Sequence, residues 1–183
     1  MKKSLNMAES DHLAQIIIGC KKGDAGSFSR LVDIYAKRCY GYFYRLSGSR
    51  DVSDDLLSEL FVKLVEKISS YKGGCFESWL FTTATNVFRD HLRAKQRQER
   101  LLNAEKRQLE SKATEAKQRS NERIDKLQEQ LGKLDADTRE LIMLRFYSQA
   151  SFREIAAMRF EPIGTTLSKA HRGLKKLREL MEQ

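Results

Sequence analysis

Apolar residues recur every three or four positions through most of this chain, the spacing of helices that bury one side. Four such stretches fill the first half. Leu13, Ile16 and Ile17 share a side of a short stretch at 11–20. A longer one at 25–46 carries Phe28, Leu31, Val32, Tyr35, Cys39, Tyr42, Phe43 and Leu46, and the Ser-Gly-Ser sequence at 47–49 ends it. A third is expected to begin at Ser53 as N-cap, with Asp54 and Asp55 in its first turn and a core stripe of Leu56, Leu57, Leu60, Phe61, Leu64, Val65 and Ile68. After Gly73 and Gly74 a fourth starts near Cys75 and continues past Leu92, burying Phe76, Trp79, Leu80, Thr83, Ala84, Val87 and Phe88.

The pattern then changes. Between Gly74 and Gly132 there is neither glycine nor proline, and residues 94–123 carry Lys, Arg, Glu, Gln and Ala with few apolar positions. A solvated helix and a disordered linker fit this composition equally, and the segment marks the domain boundary. Helical spacing resumes with Ile124, Leu127, Leu131 and Leu134, then with Leu141, Ile142, Leu144 and 145–147. Ser151 and Glu154 form a capping-box signature before a short helix with Ile155, Ala156 and Met158. A break at 160–162 leads into a last helix through Leu180, with Pro162 suited to its first turn and Leu167, Ala170, Leu174 and Leu177 expected to pack inward. The fold class that follows is all-α, with two small helical domains joined by a basic linker. The boundaries are 1–97, 98–123 and 124–183.

Charge sharpens the picture. The net charge is +9, but residues 24–92 balance nine basic against nine acidic side chains. Residues 93–123 hold ten basic and five acidic, and residues 165–180 hold five and one. Two basic segments on a neutral scaffold point to a polyanion contacted at two places. Cys20, Cys39 and Cys75 form no paired motif and lie near no histidine pair, so neither a zinc site nor a disulfide framework is expected. No signal peptide or membrane span is read, which suggests a cytoplasmic protein. Phosphate-binding glycine loops, nucleophile elbows, zinc-protease and dinucleotide fingerprints are all missing, so no catalytic residue, cofactor, metal or small-molecule substrate is expected.

Three groups of residues carry candidate chemistry. The capped helix, brief turn and basic helix at the C-terminus form a helix-turn-helix pattern. Thr165, Thr166, Ser168, Lys169, Arg172, Lys175 and Lys176 are its candidate DNA contacts, with short polar groups reaching bases and later cations reaching phosphates. Thr82, Thr85, Asn86, Arg89 and Arg93 form a polar stripe on the fourth helix, and Tyr71 and Lys72 in the preceding loop offer a stacking ring and a cation; together these suit single-stranded nucleic acid. Asp51, Asp54, Asp55 and Glu59 make an acidic cluster beyond what helix-dipole stabilisation needs, and with Ser58 they suit a basic partner surface.

In order and spacing these features resemble the extracytoplasmic-function class of bacterial sigma factors. The stretch Asp54-Asp-Leu-Leu-Ser-Glu-Leu-Phe61 is similar to region 2.2 of that family. Tyr71-Lys-Gly-Gly-Cys-Phe-Glu-Ser-Trp-Leu80 and Thr85-Asn-Val-Phe-Arg-Asp-His-Leu-Arg93 resemble regions 2.3 and 2.4. Leu141-Ile-Met-Leu-Arg-Phe-Tyr147, Phe152-Arg-Glu-Ile-Ala156 and Gly164-Thr-Thr-Leu-Ser-Lys-Ala-His-Arg172 resemble region 4. The resemblance implies a four-helix region 2 and a helix-turn-helix region 4, with core RNA polymerase and promoter DNA, duplex and single-stranded, as partners. Asp55, Ser58, Glu59, Val62 and Lys63 would dock on the polymerase. The Tyr71 loop and the Asn86–Arg89–Arg93 face would capture an unpaired base of the minus-ten element, and the last helix would read the minus-thirty-five element. An anti-sigma protein is a frequent partner in the family. Ser58 stands where the family usually has glutamine, Phe160 or Arg159 where the turn usually has glycine, and Leu167 where a basic residue is common. A conventional helix-turn-helix regulator is the alternative reading; an interaction protein that binds polymerase but not DNA is a third.

Overall fold

A computed structural model describes residues 7–106 and 122–182, and all their regular elements are helices. They are α1 (Met7–Lys21), α2 (Ala25–Ser47), α3 (Arg50–Lys67), a 3-10 turn (Ile68–Ser70), α4 (Phe76–Lys106), α5 (Glu122–Gly132), α6 (Ala136–Ser148), α7 (Phe152–Arg159) and α8 (Ile163–Glu182). The ends of α2 follow from local chemistry. The Asp24 carboxylate accepts from the Ser27 N–H at 2.7 Å, and Gly48 closes the helix in the left-handed conformation at φ 74°.

The start of α3 differs from the expected Ser53. Ser49 is the N-cap, accepting from the Val52 N–H, and the helix begins one turn earlier. Both serines stand before acidic residues, so composition alone does not separate them. Packing does: Ser53 is fully buried, donates to the Ser49 carbonyl at 2.5 Å and lies 3.1 Å from the Ser47 hydroxyl. Likewise α4 runs as one 31-residue helix to Lys106, into the segment read as linker. Residues 107–121, the rest of that segment apart from its two ends, lie outside the described residues.

Helices α1–α4 enclose one apolar centre around Leu31, Tyr42, Phe43, Leu56, Leu60, Leu64, Leu80 and Phe81. Phe81 meets Tyr42 edge-on at 5.4 Å, and the Tyr42 hydroxyl, which has no access to water, pairs with the Thr85 hydroxyl at 2.9 Å. Helices α5–α8 surround Leu131, Leu141, Leu144 and Ile155. At the α6–α8 crossing Gly173 leaves room for Thr138 and Ile142; any Cβ there would collide with Thr138.

The two groups of helices touch. Helix α6 lies against α2 and α4: Gly41 receives the Tyr147 ring, Arg38 donates to the Tyr147 carbonyl, and Arg139 donates to the Leu46 carbonyl at 3.3 Å. Replacing Phe81 with Ala should destabilise the protein by about 3–5 kcal/mol, as for other large aromatic truncations in closed cores. Urea unfolding of the variant measures this, and a loss below about 1 kcal/mol would mean the centre is loosely packed.

Candidate nucleic-acid interfaces and docking face

The outer side of α3 is free of the core. Leu56, Leu60 and Leu64 point inward, which leaves Asp55, Ser58, Glu59 and Val62 outside at helical spacing. Val62 and Val65 are 58% and 57% exposed, so Val65 is a surface residue and not part of the expected core stripe. Lys63 pairs with Glu59 at 2.7 Å and reaches Asp90 on α4 at 3.5 Å. The result is an acidic face with a narrow apolar strip, suited to a partner helix carrying both cations and apolar groups.

The polar stripe of α4 divides. Asn86 is exposed, Thr82 is half-buried with its hydroxyl on the Ser78 carbonyl, and Arg93 is exposed beside Asp90. Thr85 is not available for contact: it is buried, donates to the Phe81 carbonyl at 2.7 Å and meets Tyr42. Tyr71, read as a stacking ring, is also buried. It packs against Phe76 and Trp79, its hydroxyl donates to the Gly74 carbonyl at 2.6 Å, and Lys21 holds its carbonyl. Gly73 and Gly74, at φ 105° and 92°, make the turn that folds the ring inward. Lys72 and Cys75 remain exposed in this loop.

Arg89 goes elsewhere. Its guanidinium grips the Glu140 carboxylate of α6 with two bonds, Nε to Oε2 at 3.0 Å and Nη2 to Oε1 at 2.7 Å. Glu140 is buried and also accepts from Arg159 Nη1 at 2.6 Å. Arg159, almost wholly enclosed, pairs further with Asp137 and with Glu161 at 3.0 Å. Lys169 closes the circuit onto Asp137 at 2.7 Å and Glu161 at 2.8 Å. Burial alone would raise the pKa values of Asp137 and Glu161. Hydrogen bonds from Lys169 to both, with Arg159 and, for Glu161, Thr166, outweigh it and hold both below the ordinary values. A buried carboxylate between two guanidiniums satisfies its oxygens, whereas removing one partner strands the other charge.

The helix-turn-helix forms as expected. The Ser151 hydroxyl accepts from the Glu154 N–H while the Glu154 carboxylate accepts from the Ser151 N–H, the full capping box of α7. Phe160 makes the turn in the left-handed conformation, φ 54°, with 95% of its surface exposed. The inner side of α8 is Thr166, Ala170 and Gly173. Thr166 therefore leaves the set of expected DNA contacts: it is fully buried, donating to Glu161 at 2.9 Å. Leu167 and Leu174, expected to pack inward, are 44% and 50% exposed. Thr165, Ser168, Arg172, Lys175 and Lys176 lie outside as expected, and Lys169 is half-buried in the ion network.

With this geometry in place, comparison with known proteins is decisive. Residues 31–98 match the Sigma-70 region 2 model and residues 130–179 the Sigma-70, region 4 model. The ECF RNA polymerase sigma factor SigW of Bacillus subtilis is 30% identical over 171 residues, covering 87% of this chain and 91% of that one. The chain belongs to the ECF class of RNA polymerase sigma factors. Another relative of this sigma factor, CarQ of Myxococcus xanthus, is 31% identical over 163 residues, 88% and 92% of the two chains. A solved structure, the sigma factor RpoE in complex with the anti-sigma factor NepR from Bartonella quintana, superposes with a TM-score of 0.69 at 27% identity, covering 85% of this chain and 96% of that one. Membership makes the chain a subunit that directs RNA polymerase to promoters. Among its described residues no helix is long and apolar enough to cross a membrane.

Sequence reasoning missed the carboxylates of this sigma factor that bind its own cations: Asp137, Glu140 and Glu161. Nothing in local spacing marks Glu140 as a partner of Arg89, 51 residues away. Glu161 was legible only as part of the break at 160–162, and Arg159 only as a candidate for the glycine position of the turn.

Two outcomes follow. Because Asp137 and Glu161 have lowered pKa values in the fold, the native state binds fewer protons in acid than the unfolded chain. Their stabilisation is therefore complete above the ordinary values of 3.8 and 4.5 and is lost as pH falls through the lowered native values. Urea unfolding at pH 7, 4 and 3 should show this fall, and Glu161→Gln should flatten it; an unchanged slope would contradict the network's role. Phe160→Gly should stabilise the protein by about 0.5–1 kcal/mol, since glycine relieves the left-handed strain and the exposed ring contributes little. A lower urea midpoint would show that Phe160 makes a contact that supports the fold.

Proposed function

We propose that residues 1–97 form the polymerase-docking and minus-ten unit, residues 98–123 the connecting segment and residues 124–183 the minus-thirty-five unit. Asp55, Ser58, Glu59, Val62 and Lys63 dock on the polymerase. Lys72, Thr82, Asn86, Arg89 and Arg93 contact the minus-ten strand, with Asn86 holding an extruded base by its amide. Trapping such a base offsets an unstacking cost of a few kcal/mol. Thr165, Ser168, Lys169, Arg172, Lys175 and Lys176 contact the minus-thirty-five duplex. Tyr71, Thr85 and Thr166 act by shaping these surfaces from within. The protein works by binding alone, in the cytoplasm with its polymerase.

The observation that carries this reading is the exposure of Asn86 beside Arg89 on one helix, with a second, basic face on α8. The two promoter elements lie roughly 25 base pairs apart, about 85 Å of B-form duplex at one turn per 34–36 Å. Helices α4 and α6 are in contact, so engaging both elements requires them to part. Arg89 then exchanges the Glu140 carboxylate for DNA, while Lys169, whose partners Asp137 and Glu161 lie in its own group of helices, exchanges them locally. The relative RpoE was solved with an anti-sigma factor, and we take a protein of that kind as the natural stabiliser of the closed form.

The test uses the reconstituted holoenzyme on a promoter it transcribes. Asn86→Ala should lower permanganate-reactive open complex by about tenfold, the effect of one lost base contact. Closed complex formed in the cold should stay within about twofold. Equal loss in both assays would contradict separate roles for the two surfaces.

A further inference from the structure

The front of α8 is unusual for a DNA-reading helix. The N-terminal turns of such a helix are the part that meets base edges. Here those turns expose Ile163 and Leu167, 48% and 44% accessible, one helical turn apart. Their exposure is not a by-product of a polar core failing to close. Thr166, Ala170 and Gly173 already fill the inner side, and Gly173 sits so close to Thr138 that the helix has no room to rotate its leucines inward.

Leu167 borders a shallow depression with Ser168, His171 and Arg172. An apolar edge beside a hydroxyl, an imidazole and a guanidinium does not suit a purely apolar partner. Residues 165–180 carry five basic side chains and one acidic, so the surface suits a polyanion. In the major groove of duplex DNA one base alone offers an apolar handle, thymine, through its C5-methyl group.

We infer that Ile163 and Leu167 are specificity-determining residues that read thymine methyl groups in the duplex bound by α8, while Arg172 supplies the phosphate or base-edge contact beside them. This rests on α8 reading the minus-thirty-five element. It makes the upstream element of this sigma factor thymine-containing on the strand that faces the helix. The preference arises from burial of methyl groups rather than from hydrogen bonds.

The experiment selects upstream duplexes with holoenzyme from a randomised pool and remakes the best one with uracil, which lacks the methyl, in place of thymine. Closed-complex affinity for the uracil duplex should fall about fourfold per contacted methyl, the equivalent of one buried methyl-sized group. Leu167→Ala, a change at an exposed position, should shrink the thymine-over-uracil preference, and adding Ile163→Ala should shrink it further. Arg172→Ala should weaken both to the same extent. Equal affinity of the unaltered protein for both duplexes, or a selected element without thymine, would overturn the inference while an effect of Arg172→Ala leaves the role of α8 standing. If neither Arg172→Ala nor Leu167→Ala changes upstream binding, the assignment of α8 itself falls, and the inference with it.

Discussion

The contact between Arg89 and Glu140 governs how this molecule is put together. Glu140 is buried on α6, between a guanidinium from the first group of helices and Arg159 from the second. A carboxylate in that position is tolerable only while a guanidinium stays paired with it, because an uncompensated buried charge costs several kcal/mol. Apolar packing sets the shape of each half, and the ion junction, with Tyr147 seated on Gly41, sets how the halves meet. The consequence for function is direct. Arg89, which we propose meets the opened strand, is occupied by the protein's own acid, and Lys169 on α8 is occupied in the same way.

That arrangement gives the two proposed DNA surfaces different starting conditions. Asn86, Arg172, Lys175 and Lys176 are exposed at once. In the proposed function, Arg89 and Lys169 become available only when carboxylates are exchanged for phosphates or bases. The exchange is nearly balanced in charge, one anion replacing another around the same cations. It therefore need not strand a buried charge, provided solvent reaches Glu140 as the helices separate.

Much of the fold was legible because local chemistry and the apolar period agreed. The Ser-Gly-Ser break ends α2 at Gly48, and Ser151 with Glu154 start α7, each a short-range signal. The misreadings have physical causes. Ser49 and Ser53 both precede acids, and only burial tells cap from core. On α8, Leu167 and Leu174 looked like the inner stripe by apolarity. The inner side is instead Thr166, whose hydroxyl has Glu161 to bond, and Gly173, whose missing side chain lets α6 approach. At the candidate sites, residue types on α3 and the outside of α8 could be read from spacing. The burial of Tyr71 depends on Phe76 and Trp79, and the engagement of Arg89 on a partner far along the chain, so neither could.

This chain gives RNA polymerase a promoter specificity it otherwise lacks. The most direct measurement is transcription by purified core polymerase on fragmented genomic DNA of the source organism, with and without the protein, with the transcript starts mapped. New, discrete starts that share two upstream elements at a fixed spacing are the expected outcome. Starts that appear only when another sigma factor is present, or binding to operators as a dimer without polymerase, would contradict it.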